Sequence, residues 1–383
     1  MTGDSALQRK IEEALARRDG TAALGLIGQA ESKNPGVIDL KLQKALALRL
    51  NRQLPAAIAA LDEALALEPY HFVALLSKGA LVEQTEGARA ASVIYHNALT
   101  TCPAESPASL GPAIARAREV VTETADALEV YLQSKTAGVR GRLDPATASR
   151  FDEGLKIYSG KAKAYHSQGI LLTYPRLPAI SFFERSLFPW FPELEVATDV
   201  IRAELESVLT TLEHQFVPYI DFAPGSPVNQ WKELNHSRRW SSFFLWKDGQ
   251  KQVEACGRCP LTSALVDRLP LARHPSFAPT VMFSALEART RIPPHTGSTN
   301  ARLVVHLPLI LPGPAGFRVG NETRIWKMGE AWAFDDSIEH EAWNDADATR
   351  VVMIMDIWNP LLTPSECEAV SALMNARNEF FAL

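Results

Sequence analysis

ARLVVHLPLIL, residues 301–311, alternates with a period of two. Leu303, Val305, Leu307, Leu309 and Leu311 make one wholly apolar face, while Arg302, Val304, His306, Pro308 and Ile310 make a mixed one. Successive side chains of a strand point to opposite faces, so the pattern predicts a strand with one face in a core and the other lining a pocket. Around it, within Ser284 to Pro360, lie GFRV (316–319), a Gly320–Asn321 turn, TRIW (323–326), GEAWAF (329–334) and RVVMIMDIW (350–358). Upstream, PTVMFSALEART (279–290) predicts a further strand that brings in Ser284. Several short strands with turn residues between them argue for an antiparallel barrel or jelly roll.

Two more histidines flank the central strand. PPHTGSTN (293–300) presents His295 after a Pro293–Pro294 turn, and FDDSIEHEAW (334–343) places His340 after an acidic turn. Arg350 follows ten residues later on a strand. Imidazoles suit Fe(II), which needs open coordination positions when it reacts with dioxygen and a co-reactant. A planar guanidinium suits the distal end of a dicarboxylate, which it can hold bidentately. Together these match the needs of a mononuclear iron oxygenase that uses a keto acid. The plain alternative is that the histidines are satisfied core or surface residues.

PHTGSTNARLVVHLPL, RVGNETRIWKMGEAWAFDDSIEHEAWND and RVVMIMDIWNPLLTP resemble the oxygenase domain of the aspartyl/asparaginyl β-hydroxylases over roughly residues 180–365. That resemblance implies a double-stranded β-helix (jelly-roll or cupin-like) with Fe(II), 2-oxoglutarate as cosubstrate and dioxygen. It makes His295 and His340 the iron ligands, and it places Trp240, Ser284, His306 and Arg350 against 2-oxoglutarate, with Arg350 and Ser284 on the distal carboxylate. The usual oxygenase triad has an acid two residues after the first histidine, where this chain has Gly297, an omission the family shares. Asp336 has the strand parity of His340 and is a candidate substitute ligand, against an Asp-Asp-Ser turn that orders its own backbone. Where the animal members carry an arginine two residues before the strand histidine, this chain has Val304, with Arg302 one pleat earlier as a partial replacement. Met282 and Asn235 stand where the family has basic residues near the substrate.

The implied activity is hydroxylation of a C–H bond, first of all the β-carbon of Asp or Asn in a peptide or protein. The alternatives are a lipid or small-molecule hydroxylase with the same chemistry, and a non-catalytic binding protein that works through its repeats.

The 383 residues are 46% hydrophobic and 22% charged, ordinary for a globular chain, and are enough for two or three domains. A net charge of −5 and a pI near 6.0 give no support to nucleic-acid binding. No apolar run approaches the ~20 residues a membrane span needs, and MTGDSALQRKIEEALARRDG lacks a signal-peptide pattern, so a cytoplasmic protein is expected. Four cysteines make no disulfide framework. Cys256 and Cys259 form a lone CxxC, read as free thiols in a loop because a zinc site would need a second pair.

Residues 5–103 are rich in Ala and Leu and repeat with a period of 34: Pro35, Pro69 and Pro103; Ala23, Ala57 and Ala91; Ala30, Ala64 and Ala98; Ile11, Ala45 and Gly79. Small residues at fixed places in that period are the mark of tetratricopeptide repeats, here about 4–35, 36–69 and 70–103. The alternative is a plain helical bundle. Helices over 109–135 and about 145–168 either cap the array or link it onward, with 134–149 as an exposed loop. The resulting organisation is a helical repeat solenoid over 1–170 and an oxygenase domain over 171–383. The repeats would help present a peptide substrate. Within the second domain, residues 173–195 read as irregular, 197–216 as an amphipathic helix burying Val200, Ile201, Leu205, Leu209 and Leu212, and 261–269 as a short helix. RRWSSFFLWKDGQKQ (238–252) reads as a strand ending at Asp248–Gly249 that supplies Trp240, with Arg238 and Arg239 as solvated charges.

Overall fold

The structure is a computed structural model that describes residues 2–274 and 277–382. It divides into two compact units, 1–162 and 163–383. The division falls before the 170/171 boundary expected from the sequence.

The first unit consists of helix pairs α1 (Thr2–Ala16) and α2 (Gly20–Lys33), α3 (Ile38–Leu50) and α4 (Leu54–Leu67), and α5 (Phe72–Glu86) and α6 (Ala88–Thr100). These are tetratricopeptide-type repeats. Local chemistry sets their ends: Asp19 caps α2 by accepting from the Ala22 amide at 2.9 Å, and Pro55 sits in the first turn of α4. Ala23, Ala57, Ala64, Ala91 and Ala98 are all fully buried, because helices can approach this closely only where side chains are small.

α7 (Gly111–Arg140) closes the third pair through Ile114, Ala117 and Val120, which join the core of Phe72, Leu76 and Tyr95. Its Arg116 meets Glu83 at 2.6 Å. α8 (Pro145–Ser159) folds back on α7, with Arg140 bound to Asp152. The loop expected over 134–149 shrinks to 141–144, since SKTAGVR continues the helix and Asp144 then caps α8 through the Ala146 and Thr147 amides. α8 also stops earlier than expected, at Gly160 in the left-handed conformation (φ 82°). Replacing Ala57 by Leu forces three further heavy atoms into a closed crossing, so Ala57→Leu should lower the chemical unfolding free energy of this unit by about 1–3 kcal/mol.

The second unit has two antiparallel sheets. The larger runs β1 (Val217–Pro218), β2 (Trp240–Lys247), β4 (Val281–Leu286), β11 (Arg350–Trp358), β6 (Arg302–Ile310) and β9 (Trp332–Phe334), with β3 (Gln250–Lys251) hairpinned to β2. The smaller runs β5 (Thr290–His295), β10 (His340–Asn344), β7 (Ala315–Val319) and β8 (Glu322–Ile325). This is the double-stranded β-helix, or jelly roll. Leu303, Val305, Leu307 and Leu309 of β6 do form a core row, together with Phe283 of β4 and Met353 and Met355 of β11. Helices α9 (Phe191–Val196), α10 (Thr198–Thr211) and α12 (Pro260–Arg268) cover that face. On α10 the buried apolar residues are Ile201, Leu205 and Val208, whereas Val200 is 43% exposed.

Two local differences from the sequence expectation matter for the site. The strand read through 279–290 ends at Leu286, and the chain turns so that Thr290–His295 becomes a separate strand containing both prolines. β5 is the edge of the smaller sheet and pairs only with β10, so the amides that Pro293 and Pro294 lack are not missed. The CxxC is also no loop: Cys256 lies in α11 (Val253–Arg258) and Cys259 at its junction with α12, both buried, and burial pushes both thiols up. Such thiols are poor nucleophiles and poor metal ligands. The C-terminal α13 (Pro364–Ala382) packs Val370 and Met374 against Ala301.

Candidate active site

The inner faces of the two sheets enclose a cavity of about 270 Å³. His295 ends β5 and His340 begins β10, and the two are direct partners across the ladder. Their ring centroids lie 4.1 Å apart. A register irregularity follows His340, and bulges of this kind re-aim side chains beside sites. Each ring is fixed by a backbone carbonyl two residues back: His295 Nδ1 contacts the Pro293 carbonyl within β5 at 2.8 Å, and His340 Nδ1 the Ile338 carbonyl in the turn before β10 at 2.9 Å. With Nδ1 donating to a carbonyl, Nε2 carries the lone pair, which is the tautomer a metal-binding histidine uses. Burial lowers the pKa of both rings, and for His340 the neighbouring His295 adds to it. The pair is therefore neutral and ready to donate to a cation.

His306 lies on the same wall, 6% exposed and surrounded by Phe317 and Phe334. Burial, helped by the Arg350 charge, pushes it down to about 3, and its Nδ1 is buried without a hydrogen-bond partner. Arg350 starts β11 and is 2% exposed. Its Nη1 donates to the Ser284 carbonyl at 3.3 Å, its Nε has no partner, and its guanidinium lies 4.8 Å from the Trp326 ring. Among the described residues no carboxylate offsets this charge, and burial lowers it to about 9, still a cation at neutral pH. A buried cation in that state is stabilised by any anion that reaches it. The Ser284 hydroxyl beside it accepts from Trp240 Nε1 at 3.0 Å, and Trp240 walls the cavity with Trp231 and Tyr219.

Arg302 is differently placed. It binds Asp336 at 3.1 Å and Asp356 at 2.9 Å, so it forms a buried ion cluster with two carboxylates rather than standing free on the cavity wall. Asp336, raised to about 7 by burial, sits where a side chain at position 297 would go: a Cβ on Gly297 would lie 1.9 Å from Asp336 Oδ2. The acid missing after His295 and the presence of Asp336 are thus one steric fact. Among the described residues no group of three or more His, Cys, Asp or Glu is arranged to hold a metal, so Asp336 does not complete a triad with the histidine pair. Val304 and Met282 line the cavity, whereas Asn235 accepts from the Phe222 amide and lies off its wall.

Comparison with known proteins gives the same direction. Residues 195–360 match the family model described as aspartyl/asparaginyl beta-hydroxylase. The ornithine lipid ester-linked acyl 2-hydroxylase of Rhizobium tropici is 33% identical over 233 residues, which cover 60% of this chain and 76% of that protein. The chain belongs to the aspartyl/asparaginyl β-hydroxylase family. The human aspartyl/asparaginyl beta-hydroxylase is 32% identical over 202 residues, 50% of this chain, and the chain spans only 26% of that relative. The TPR2B domain of yeast Sti1 aligns with 32% of the chain and 98% of its own length, at 16% identity and a TM-score of 0.29.

Within this hydroxylase family member, the structure brings His295, His340, His306, Ser284, Trp240, Arg302 and Arg350 to one cavity, together with Trp231, Tyr219 and Asp356, which the sequence reading did not single out. Trp326 under Arg350 and Ile170 at the cavity mouth carry no motif signal. Asp356 alone had a trace of one, as a charge inside an otherwise apolar strand.

His306 offers a test of the burial. Its pKa in the folded chain lies below the unfolded value of 6.5, so the folded state binds fewer protons. Stability present above about pH 6.5 is lost as pH falls towards about 3. Relative to His306→Leu, the wild type should lose up to about 1.4 kcal/mol per pH unit between those limits, measured by denaturant unfolding at stepped pH.

Proposed function

We propose that this chain is an Fe(II)- and 2-oxoglutarate-dependent dioxygenase that hydroxylates a C–H bond. The observation that carries this is the neutral histidine pair, its rings 4.1 Å apart and each held by a carbonyl two residues back, facing a cavity with a buried guanidinium that has no counter-ion among the described residues. His295 and His340 would hold the iron through Nε2. Arg350, with the Ser284 hydroxyl, would bind the distal carboxylate of 2-oxoglutarate. Iron with 2-oxoglutarate supplies the oxidising power: dioxygen places one oxygen atom in the substrate C–H and the other in succinate as the keto acid loses CO2.

The protein's own residues contribute positioning and dryness. Trp240 and Trp231 wall off water, and a dry site strengthens the Arg350–carboxylate attraction. His306 stays neutral, so it adds no charge next to Arg350, and it can hydrogen-bond a carboxylate or carbonyl oxygen only as a donor. Trp326 supports the guanidinium face and helps keep it in plane.

For the substrate, the family and the helical repeats support Asp or Asn in a peptide or protein, presented by the repeats. A specific observation supports a second reading, an acyl chain of a lipid. The guanidinium of Arg302 on the far side of the cavity is already bound to two carboxylates, and Val304, Met282, Ile292 and Ile354 add apolar surface to a wall whose other polar groups, among them Thr280, Thr296 and Ser298, are uncharged. A free carboxylate gains little there, so a peptide substrate would react better as Asn than as Asp.

Titration with Mn(II) or Fe(II) and succinate release from 2-oxoglutarate test the assignment. Wild type should take up metal and form succinate. His340→Ala should lose metal uptake, and Arg350→Met should raise the KM for 2-oxoglutarate by at least about tenfold while metal uptake persists, the loss of a buried charge-assisted pair. Metal uptake unchanged in His340→Ala would overturn the site. Matched Asn and Asp peptides against an ornithine-type acyl lipid in detergent micelles separate the substrate readings by which of them accelerates succinate formation. A folded, metal-loaded wild type that forms no succinate with any of them would favour a non-catalytic role.

A further inference from the structure

The segment from Lys163 to Tyr174 leads out of the helical unit and precedes the family match at 195–360. It has no regular secondary structure, and a linker would be the ordinary description. Its contacts say otherwise. Ser167 Oγ donates to Asp335 Oδ2 at 2.8 Å, and the Gln168 amide donates to the Ser337 carbonyl at 2.7 Å. Two residues later the Ile170 amide donates to the Gly297 carbonyl at 2.9 Å, and the Leu171 amide to the Ser298 carbonyl at 3.0 Å. Leu172 then bridges to Thr299. Within six residues the chain thus bonds first to the turn that presents His340 and then to the turn that follows His295.

The crossing point is tight. At Gly169 an added Cβ would lie 2.4 Å from the Leu172 carbonyl oxygen and 2.9 Å from that of Ser298, both backbone atoms that cannot swing away. Farther along, Asn300 exchanges two bonds with the Tyr174 backbone, and at the other end Asn321 donates to the Lys163 carbonyl at 2.8 Å. The segment is anchored at both ends and at its centre. Ile170, 72% exposed, lines the mouth of the cavity, so the segment is also part of the site's wall.

The two turns have one direct backbone bond between them besides the β5–β10 ladder, from the Gly297 amide to the Asp336 carbonyl at 2.6 Å. The ladder itself is irregular just beyond His340. We propose that Ser167–Leu172 is a positioning strap: it ties the His295 turn to the His340 turn and so sets the separation and tilt of the two rings. Its consequence for metal binding rests on the function proposed above, while its hold on the turns does not.

The test uses the full chain with Gly169→Val, Ser167→Ala and Ser167→Thr. Amide hydrogen exchange, measured without metal, should speed up about tenfold in 296–300 and 335–338 of Gly169→Val and leave β4 and β11 around Ser284 and Arg350 as in wild type. Mn(II) affinity should fall about tenfold in Gly169→Val and less in Ser167→Ala, with Ser167→Thr restoring it by keeping the hydroxyl. If Gly169→Val does not fold, the Ser167 pair carries the same measurements. Unchanged exchange in both turns, or exchange that rises equally across the sheet, would overturn the strap. A wild type that takes up no Mn(II) would instead sink the functional assignment, and the exchange data would still decide the strap.

Discussion

Desolvation of a pair of imidazoles is the constraint on which the second unit turns. Two neutral rings side by side in an apolar cleft are tolerable only because each has its Nδ1 satisfied by a carbonyl two residues back. That requirement is met differently on the two strands. Before His295 the carbonyl belongs to Pro293, within β5 on the sheet edge, and before His340 it belongs to the turn from Asp335 to Ile338, where Ser337 bonds to Asp335 through both its amide and its hydroxyl. Neutrality follows from burial, and neutrality is what permits donation to a cation.

The two poles of the cavity are charged in different ways. At one, Arg350 is buried with an aromatic ring and a carbonyl and, among the described residues, no anion. At the other, Arg302 is shared between Asp336 and Asp356, so its charge is met twice over. A buried ion that lacks a charge partner marks a place for one to bind, whereas one whose charge is already paired offers little to a further anion. The same residue type therefore has opposite meanings at 302 and 350. This asymmetry supports a dicarboxylate at the first pole and an uncharged group at the second.

Much of this was legible beforehand because strand periodicity is local. The leucine row of β6 had to face a core, and that placed Arg302, Val304 and His306 on the inner face. The 34-residue alanine columns likewise follow from close helix crossings, and all three helix pairs are where the period put them. Less legible were the ends of elements. The helix through 134–140 and the split before Thr290 depend on capping and edge pairing, which involve residues far apart in the chain.

By itself the sequence determined the two architectures, the strand faces and the residue types of the site, since each is set by spacing along the chain. Tertiary structure alone decided which charges are met and which are not. Arg302 and Arg350 each open a strand, and only folding brings Asp336 and Asp356 to one and leaves the other with Trp326. It likewise made 163–174, of which the stretch to about 168 was read as helix, an irregular segment on the wall of the cavity, because its hydrogen-bond partners lie more than a hundred residues away and backbone amides carry no sequence signature.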